Sequence, residues 1–257
     1  GYTQGLNILL NMFFGPAVNA ARGVAVTVQG VVSGFVANFQ MALNPQITKS
    51  YAVNDLSRMH SLIYASSKFS FYLLFMIVWP IMIEAQEILT LWLKLVPDHT
   101  VWFMRLILFI MLIEALANPM MVASQAVGKV KVYQSVVGGL LLLILPLAYI
   151  ALRFGANPES VFIVQLFMAI VAQSFRVYLV ARMINMSIFE YAHIVLLRIT
   201  AVFIIVAIPS CILYRQLPDG SSFAFLVLIF TFLTECFVII TIGLTRSERN
   251  IVYQKVK

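Results

Sequence analysis

The chain has 257 residues, of which 62% are hydrophobic and only 11% charged, with a mean hydropathy of +0.97. A soluble domain of this length must cover its surface with charge, so the composition excludes a soluble globular protein and specifies helices that are apolar all round because hydrocarbon is their solvent. The formal net charge of +7 sits beside apolar runs and forms no basic patch with interleaved aromatics, which excludes a nucleic-acid surface.

The predicted fold class is an all-α integral membrane protein, a polytopic helical bundle of about eight spans. The first apolar stretch, Leu6 to Phe14, is too short to cross a hydrocarbon core that needs about 20 helical residues. Together with Gly1 in place of a methionine, it predicts the tail of a first helix with further sequence upstream. It does not read as a cleaved signal peptide, because no basic segment precedes it and no small-residue cleavage site follows. Further spans are predicted near Val24 to Leu43, Leu62 to Ile83, Val101 to Ala123, Val132 to Leu152, Val161 to Ala181, Ile194 to Tyr214 and Phe223 to Leu244. Gly15-Pro16, Asn44-Pro45, Val96-Pro97-Asp98, Gly155 to Pro158 and Leu217 to Gly220 favour turns between them. The stretch Glu84 to Lys94 predicts a short helix along the membrane surface, with Ile88, Leu89, Leu91 and Trp92 toward lipid.

Lys49, Arg58, Lys68, Lys129, Lys131, Arg176, Arg182, Arg198, Arg246, Arg249, Lys255 and Lys257 gather at one set of span ends. The other set is poorer in basic residues and carries Glu84, Glu87, Asp98, Glu159 and Asp219. The positive-inside rule makes the basic set, and with it the C-terminus, cytoplasmic. Trp79, Trp92 and Trp102 then fall at the opposite interface, where an indole N–H stays wet. Cys211 and Cys236 lie in apolar runs without metal-ligand spacing and read as helix packing. No Walker A pattern, dinucleotide glycine fingerprint, HExxH or Ser/His/Asp arrangement is present, and His60, His99 and His193 are far apart. The expectation is therefore neither an enzyme nor a metal or cofactor protein.

Polar groups at membrane depth are costly unless they face protein or a water-filled cavity, so their placement is the main functional signal. Gln4, Asn7 and Asn11 share a face of the first helix, and Gln29, Ser33, Gln40 and Asn44 share one on the second. Two amide-lined faces suggest a shared polar cleft, or interhelical hydrogen bonds that act as packing glue. In the run IEALANPMMVASQA, Glu114 lies near mid-span with Asn118 and Pro119 one turn on. A carboxyl at that depth must be protonated, paired or open to a cavity, and the proline predicts a kink beside it. Glu114 is the candidate for proton or sodium coupling, with Arg105 or an amide as its structural alternative. Glu235, in the last span, is expected to pair with Arg198. Arg176 and Arg198 are expected to snorkel to the basic face. Arg22, Lys68 and Arg105 either snorkel or lend positive potential to a cavity for an anionic substrate.

The segment GLNILLNMFFGPAVNAARGVAVTVQGVVSGFVANFQMALNPQITKSYAVNDLSRM, with its short outer turn FFGPAVNAARG and polar inner turn NPQITKSYAVND, resembles the opening of a repeat in the multidrug/oligosaccharidyl-lipid/polysaccharide exporter superfamily. The later ALANPMMVASQAVGKVKVYQ is similar to the fourth helix of such a repeat. The likeness is strongest from Gly5 to Gln134 and points toward bacterial polysaccharide-biosynthesis lipid flippases of Bacteroides type. It implies residues 1–185 as a six-helix C-terminal transporter lobe with a truncated first helix, and residues 186–257 as two additional spans and a basic cytoplasmic tail. It also implies a bacterial inner-membrane transporter that moves a polyprenyl pyrophosphate-linked saccharide by alternating access. Arg22, Lys68 or Arg105 would attract the pyrophosphate, and Asn7, Asn11, Gln29, Gln40 and Asn118 would bond sugar hydroxyls. A cation-coupled multidrug antiporter of the same superfamily is the second reading. A membrane-embedded glycan polymerase or ligase is the third, though the outer segment Glu84 to Thr100 lacks an acid/base arrangement.

Overall fold

The computed structural model describes residues 2–216, 221–245, 248 and 249. Its described residues are mostly helical, with no strand among them, and seven helical segments are long and apolar enough to span a bilayer. The predicted turn Leu217 to Gly220 and Arg246, Lys255 and Lys257 lie outside the described residues.

Helix α1 (Tyr2–Phe14) ends at Gly15, whose φ of +80° suits a residue without a Cβ, and α2 (Pro16–Ala52) starts on Pro16, where a missing N–H costs nothing. The turn between α1 and α2 is thus one residue long, and Arg22, expected just outside the predicted Val24 to Leu43 span, lies buried within α2. The predicted turn at Asn44-Pro45 is also corrected: α2 runs through Pro45 to Ala52. A proline deletes one backbone bond, which the helix absorbs there. The turn comes at Asn54, which has a φ of 58°, and at Asp55, whose carboxylate accepts the Arg58 N–H at 3.0 Å to cap α3 (Leu56–Ile83). At 37 residues α2 is about 55 Å long, well over the hydrocarbon thickness of about 30 Å.

The predicted surface helix forms as α4 (Ala85–Leu93), with Leu91 and Trp92 exposed, but Leu89 points inward and is fully buried. The third span is split into α5 (Thr100–Glu114) and α6 (Ala117–Ala126), and the fourth into α7 (Val130–Leu142) and α8 (Ile144–Arg153). Pro119 and Pro146 account for the two breaks, each lacking the N–H that the carbonyl four residues earlier needs. Helix α9 (Ser160–Ile184) stops at Asn185, in left-handed conformation, and the Ser187 hydroxyl caps α10 (Ile188–Tyr191) by accepting the Glu190 N–H at 3.2 Å. A π-helical turn, Ala192–Leu196, leads into α11 (Leu197–Gln216), and α12 (Ser221–Val238) ends in another, Ile239–Gly243.

The α3 and α5–α6 spans are the most enclosed, and the rest wrap them. Helix α2 packs on α3, α5 and α6; α9 packs on the two broken spans; α1 lies on α2 and α8. Helices α11 and α12 pack on each other and on α3, so α3 joins the final hairpin to the preceding bundle. Many large side chains outside this core, including Phe35, Phe167, Phe225 and Phe237, are exposed, as a lipid-facing surface requires. Cys211 is exposed rather than packed, and Cys236 is half-buried. Trp102 and Trp92 are exposed at a span end, whereas Trp79 is buried between Phe75 and Phe203, its ring 5.1 Å from that of Phe203. Its aromatic neighbours on α3 and α11 outcompete the wet interface predicted for it.

Candidate functional site

Pro119 has no N–H for the Ala115 carbonyl, and its ring crowds that carbonyl, so α5 ends at Glu114 and α6 begins at Ala117. Two carbonyls in the break are taken up by side chains from other helices. Gln40 Nε2, on α2, donates to the Ala115 carbonyl at 3.2 Å and to Ser70 Oγ, on α3, at 3.1 Å. Gln173 Nε2, on α9, donates to the Leu116 carbonyl at 3.3 Å, while its Oε1 accepts from Arg176 Nη1 at 3.4 Å. Two amides therefore fix the kink. Buried backbone acceptors left without donors are costly in a membrane, and here the sequence supplies donors at matching depth.

On one side of the kink lies a cavity of about 340 Å³ between α6, α7 and α9. Glu114, Asn118, Tyr133, Gln134 and Arg176 give it polar walls, and Met121 and Val137 are among its apolar ones. Arg176 is buried, with its guanidinium beside the Tyr133 hydroxyl. Asn118 Oδ1 is enclosed and has no hydrogen-bond partner among the described residues. A carboxyl, a guanidinium, a phenol and two amides around one space can bond hydroxyls and anionic oxygens together. On the other side of the kink, Ile113 and Leu116 face an apolar groove of about 470 Å³ running between α9 and the α10–α11 segment. Alternate residues of one broken helix thus serve a polar space and an apolar one.

The predicted site residues do not share one cavity. Glu114 and Asn118 line the polar one, and Gln40 supports the kink from behind. Arg22 donates to Asn7 Oδ1 and to the Thr3 carbonyl, and Asn7 in turn bonds Gln4 at 3.1 Å, so this cation belongs to the α1–α2 contact. Asn11 is exposed and Gln29 half-buried. Arg105 donates to the Met82 and Ile83 carbonyls at 2.8 and 3.2 Å, where it caps the end of α3, and its guanidinium lies over Trp102. It lines a separate cavity with Asp98 and His99.

Lys68 is fully buried and bonds Glu248 at 2.6 Å, beyond the last span. Burial pushes the Glu248 carboxyl up, but the Lys68 ammonium and the Thr245 N–H, at 2.7 Å, outweigh burial and hold it below the usual carboxylate value. Glu235 does not pair with Arg198: both its carboxyl oxygens are buried without a hydrogen-bond partner among the described residues. Arg198 acts electrostatically on Lys68 and Tyr72 instead.

Sequence reasoning passed over Gln173, Tyr133 and Gln134, and it assigned Arg176 to snorkelling although the side chain is buried. Gln173 and Arg176 stand three residues apart on one face of an apolar span, the same signal that picked out the stripes on α1 and α2. The chain matches no family model, no curated protein and no solved structure.

Proposed function

We propose that the chain is part of a membrane transporter that carries an amphiphile with a polar headgroup, and that a lipid-linked oligosaccharide for polysaccharide or lipopolysaccharide biosynthesis is its cargo. The observation that carries this reading is the kinked third span, which has a polar cavity on one side and an apolar groove on the other. A headgroup rich in hydroxyls and phosphate oxygens suits the Glu114, Asn118 and Arg176 wall, and its chain suits the groove. The polar cavity's 340 Å³ falls in the range of about 300–1,000 Å³ usual for small-molecule sites. A proline break fixed by side-chain amides gives one bundle a place to bend against another, as alternating access requires. The basic span ends support a cytoplasmic placement for the end that bears Lys49, Lys129 and Arg182, and the resemblance to bacterial flippases supports a bacterial inner membrane.

Complementation tests the reading. The native gene is expressed in a strain that lacks its lipid-linked-saccharide flippase, and surface polysaccharide is assayed. Restoration, with loss on Arg176→Gln and Asn118→Ala at normal protein level, is the expected result. Failure of the well-expressed protein to restore export overturns it. A specific feature favours the second reading, a cation-coupled antiporter: Glu114 sits in the cavity wall beside the kink. Resistance to cationic dyes that vanishes with Glu114→Gln would select it.

A further inference from the structure

Thr231 and Glu235 stand one turn apart on α12, and both are fully enclosed at 0% exposure. Neither the Thr231 hydroxyl nor either oxygen of the Glu235 carboxyl has a hydrogen-bond partner among the described residues. The hydroxyl differs from its neighbours in this. Thr234 donates to the Phe230 carbonyl at 2.7 Å, Thr241 to Phe237 at 2.8 Å and Ser210 to Val206 at 2.8 Å, which is how a helix absorbs a hydroxyl at depth. Thr231 makes no such bond, so three enclosed oxygen atoms on one helical face are left without a partner among the described residues.

The helices packed on α12 are α3 and α11. Lys68 and Tyr72 on α3 and Arg198 on α11 gather around Glu248 past the end of α12, where Tyr72 Oη donates to the Gly243 carbonyl at 3.2 Å. Earlier on α3, His60 bonds the Ile184 carbonyl and Tyr64 bonds Glu190, while Arg58 is exposed; Cys211, Tyr214 and Arg215 occupy the far half of α11. None of these groups hydrogen-bonds the Glu235 carboxyl, which is fully enclosed. An ion there would carry a full charge with neither water nor counter-ion, so the neutral acid is the species that can occupy the site.

We propose that Glu235, with Thr231, forms a proton-binding site in the last span: the carboxyl holds its proton while α12 lies against α3 and α11, and exchanges it with water when that packing opens. The four-residue spacing puts the Thr231 hydroxyl on the same helical face as the acid, and no hydrogen bond joins the two in the packed state. Proton release and opening of the hairpin face are then linked, because the ionised carboxylate favours the opened, hydrated state. The site is separate from the Glu114 cavity and does not depend on what cargo that cavity takes.

Dicyclohexylcarbodiimide, which modifies protonated carboxyls in apolar surroundings, tests the site on the intact protein in lipid nanodiscs. Adducts are mapped by mass spectrometry at stepped pH. The expected result is an adduct on Glu235 at neutral pH, severalfold above that on the interfacial Glu87, with a yield that falls as pH rises. Glu235→Gln abolishes it, and Thr231→Val shifts the pH at which it is lost. Labelling of Glu235 no greater than that of Glu87 overturns the proposal. So does protection by sodium at constant pH, which would make the site a sodium site. The unsubstituted protein alone decides between these outcomes, so a variant that fails to fold does not block the test.

Discussion

The third and last spans both place polar groups at membrane depth, and they handle them in opposite ways. At the Pro119 kink the Ala115 carbonyl, freed by the proline, and the neighbouring Leu116 carbonyl each receive a side-chain donor, Gln40 from α2 and Gln173 from α9. On α12, Thr231 and Glu235 are as deeply buried and have no partner among the described residues. Depth alone therefore does not separate structural from functional polar residues. Partnership does: a group whose neighbours were supplied to meet it maintains the fold, and one left unmet costs stability that some other selection must maintain.

The largest effect is expected where the last span meets α3. Glu248→Ala leaves Lys68 as a buried, unmet charge, and breaking such a pair costs about 3 kcal/mol. Unfolding in mixed micelles measures it, and a loss below about 1 kcal/mol would mean that water reaches Lys68. The pair also has a pH signature. The Glu248 carboxyl is lowered in the folded state, so its contribution is complete above the unfolded value of about 4.3 and disappears as pH falls through the lower folded value. Acidification should therefore narrow the gap between parent and Glu248→Ala.

The next two predictions oppose each other in sign. Glu235→Leu replaces an unmet carboxyl with an apolar side chain and should stabilise the protein by about 1–2 kcal/mol. Gln40→Leu removes a donor that is in use and should destabilise it by about 1 kcal/mol. Pro119→Ala restores a backbone N–H to the Ala115 carbonyl, so the Gln40→Leu/Pro119→Ala pair should recover most of that loss in a double-mutant cycle. If both leucine substitutions destabilise equally, the contrast between the two spans is wrong.

Sequence reasoning reached the helical membrane class, the positions of the seven spans and the kink near Pro119, because hydropathy and proline chemistry are local. It singled out Glu114 and Asn118 for the same reason. It could not find the partners. Gln40 meets a carbonyl 75 positions away, and Arg22 folds back on Asn7 because the α1–α2 turn shrinks to Gly15. Sequence alone leaves Arg105 and Lys68 between snorkelling and a cavity role, and it is α3's last carbonyls and Glu248 that claim them. Asn44-Pro45 was misread because turn propensity at one dipeptide was outweighed by the helix on either side, while the Asp55 cap sits ten residues further on.

The smallest expected effect supplies the control for depth. His99 Nδ1 and Glu159 Oε1 approach to 2.5 Å between the segments that precede α5 and α9, but the two side chains are 36% and 19% exposed. Water can replace either partner there, so Glu159→Gln should cost no more than about 0.5 kcal/mol. The loss of the Gln40 amide at depth has no such substitute, which is why a bond at the kink should outweigh a shorter one at the rim. If Glu159→Gln costs as much as Gln40→Leu, bond geometry and not desolvation governs the polar contacts of this bundle, and the unmet oxygens of α12 lose their special standing.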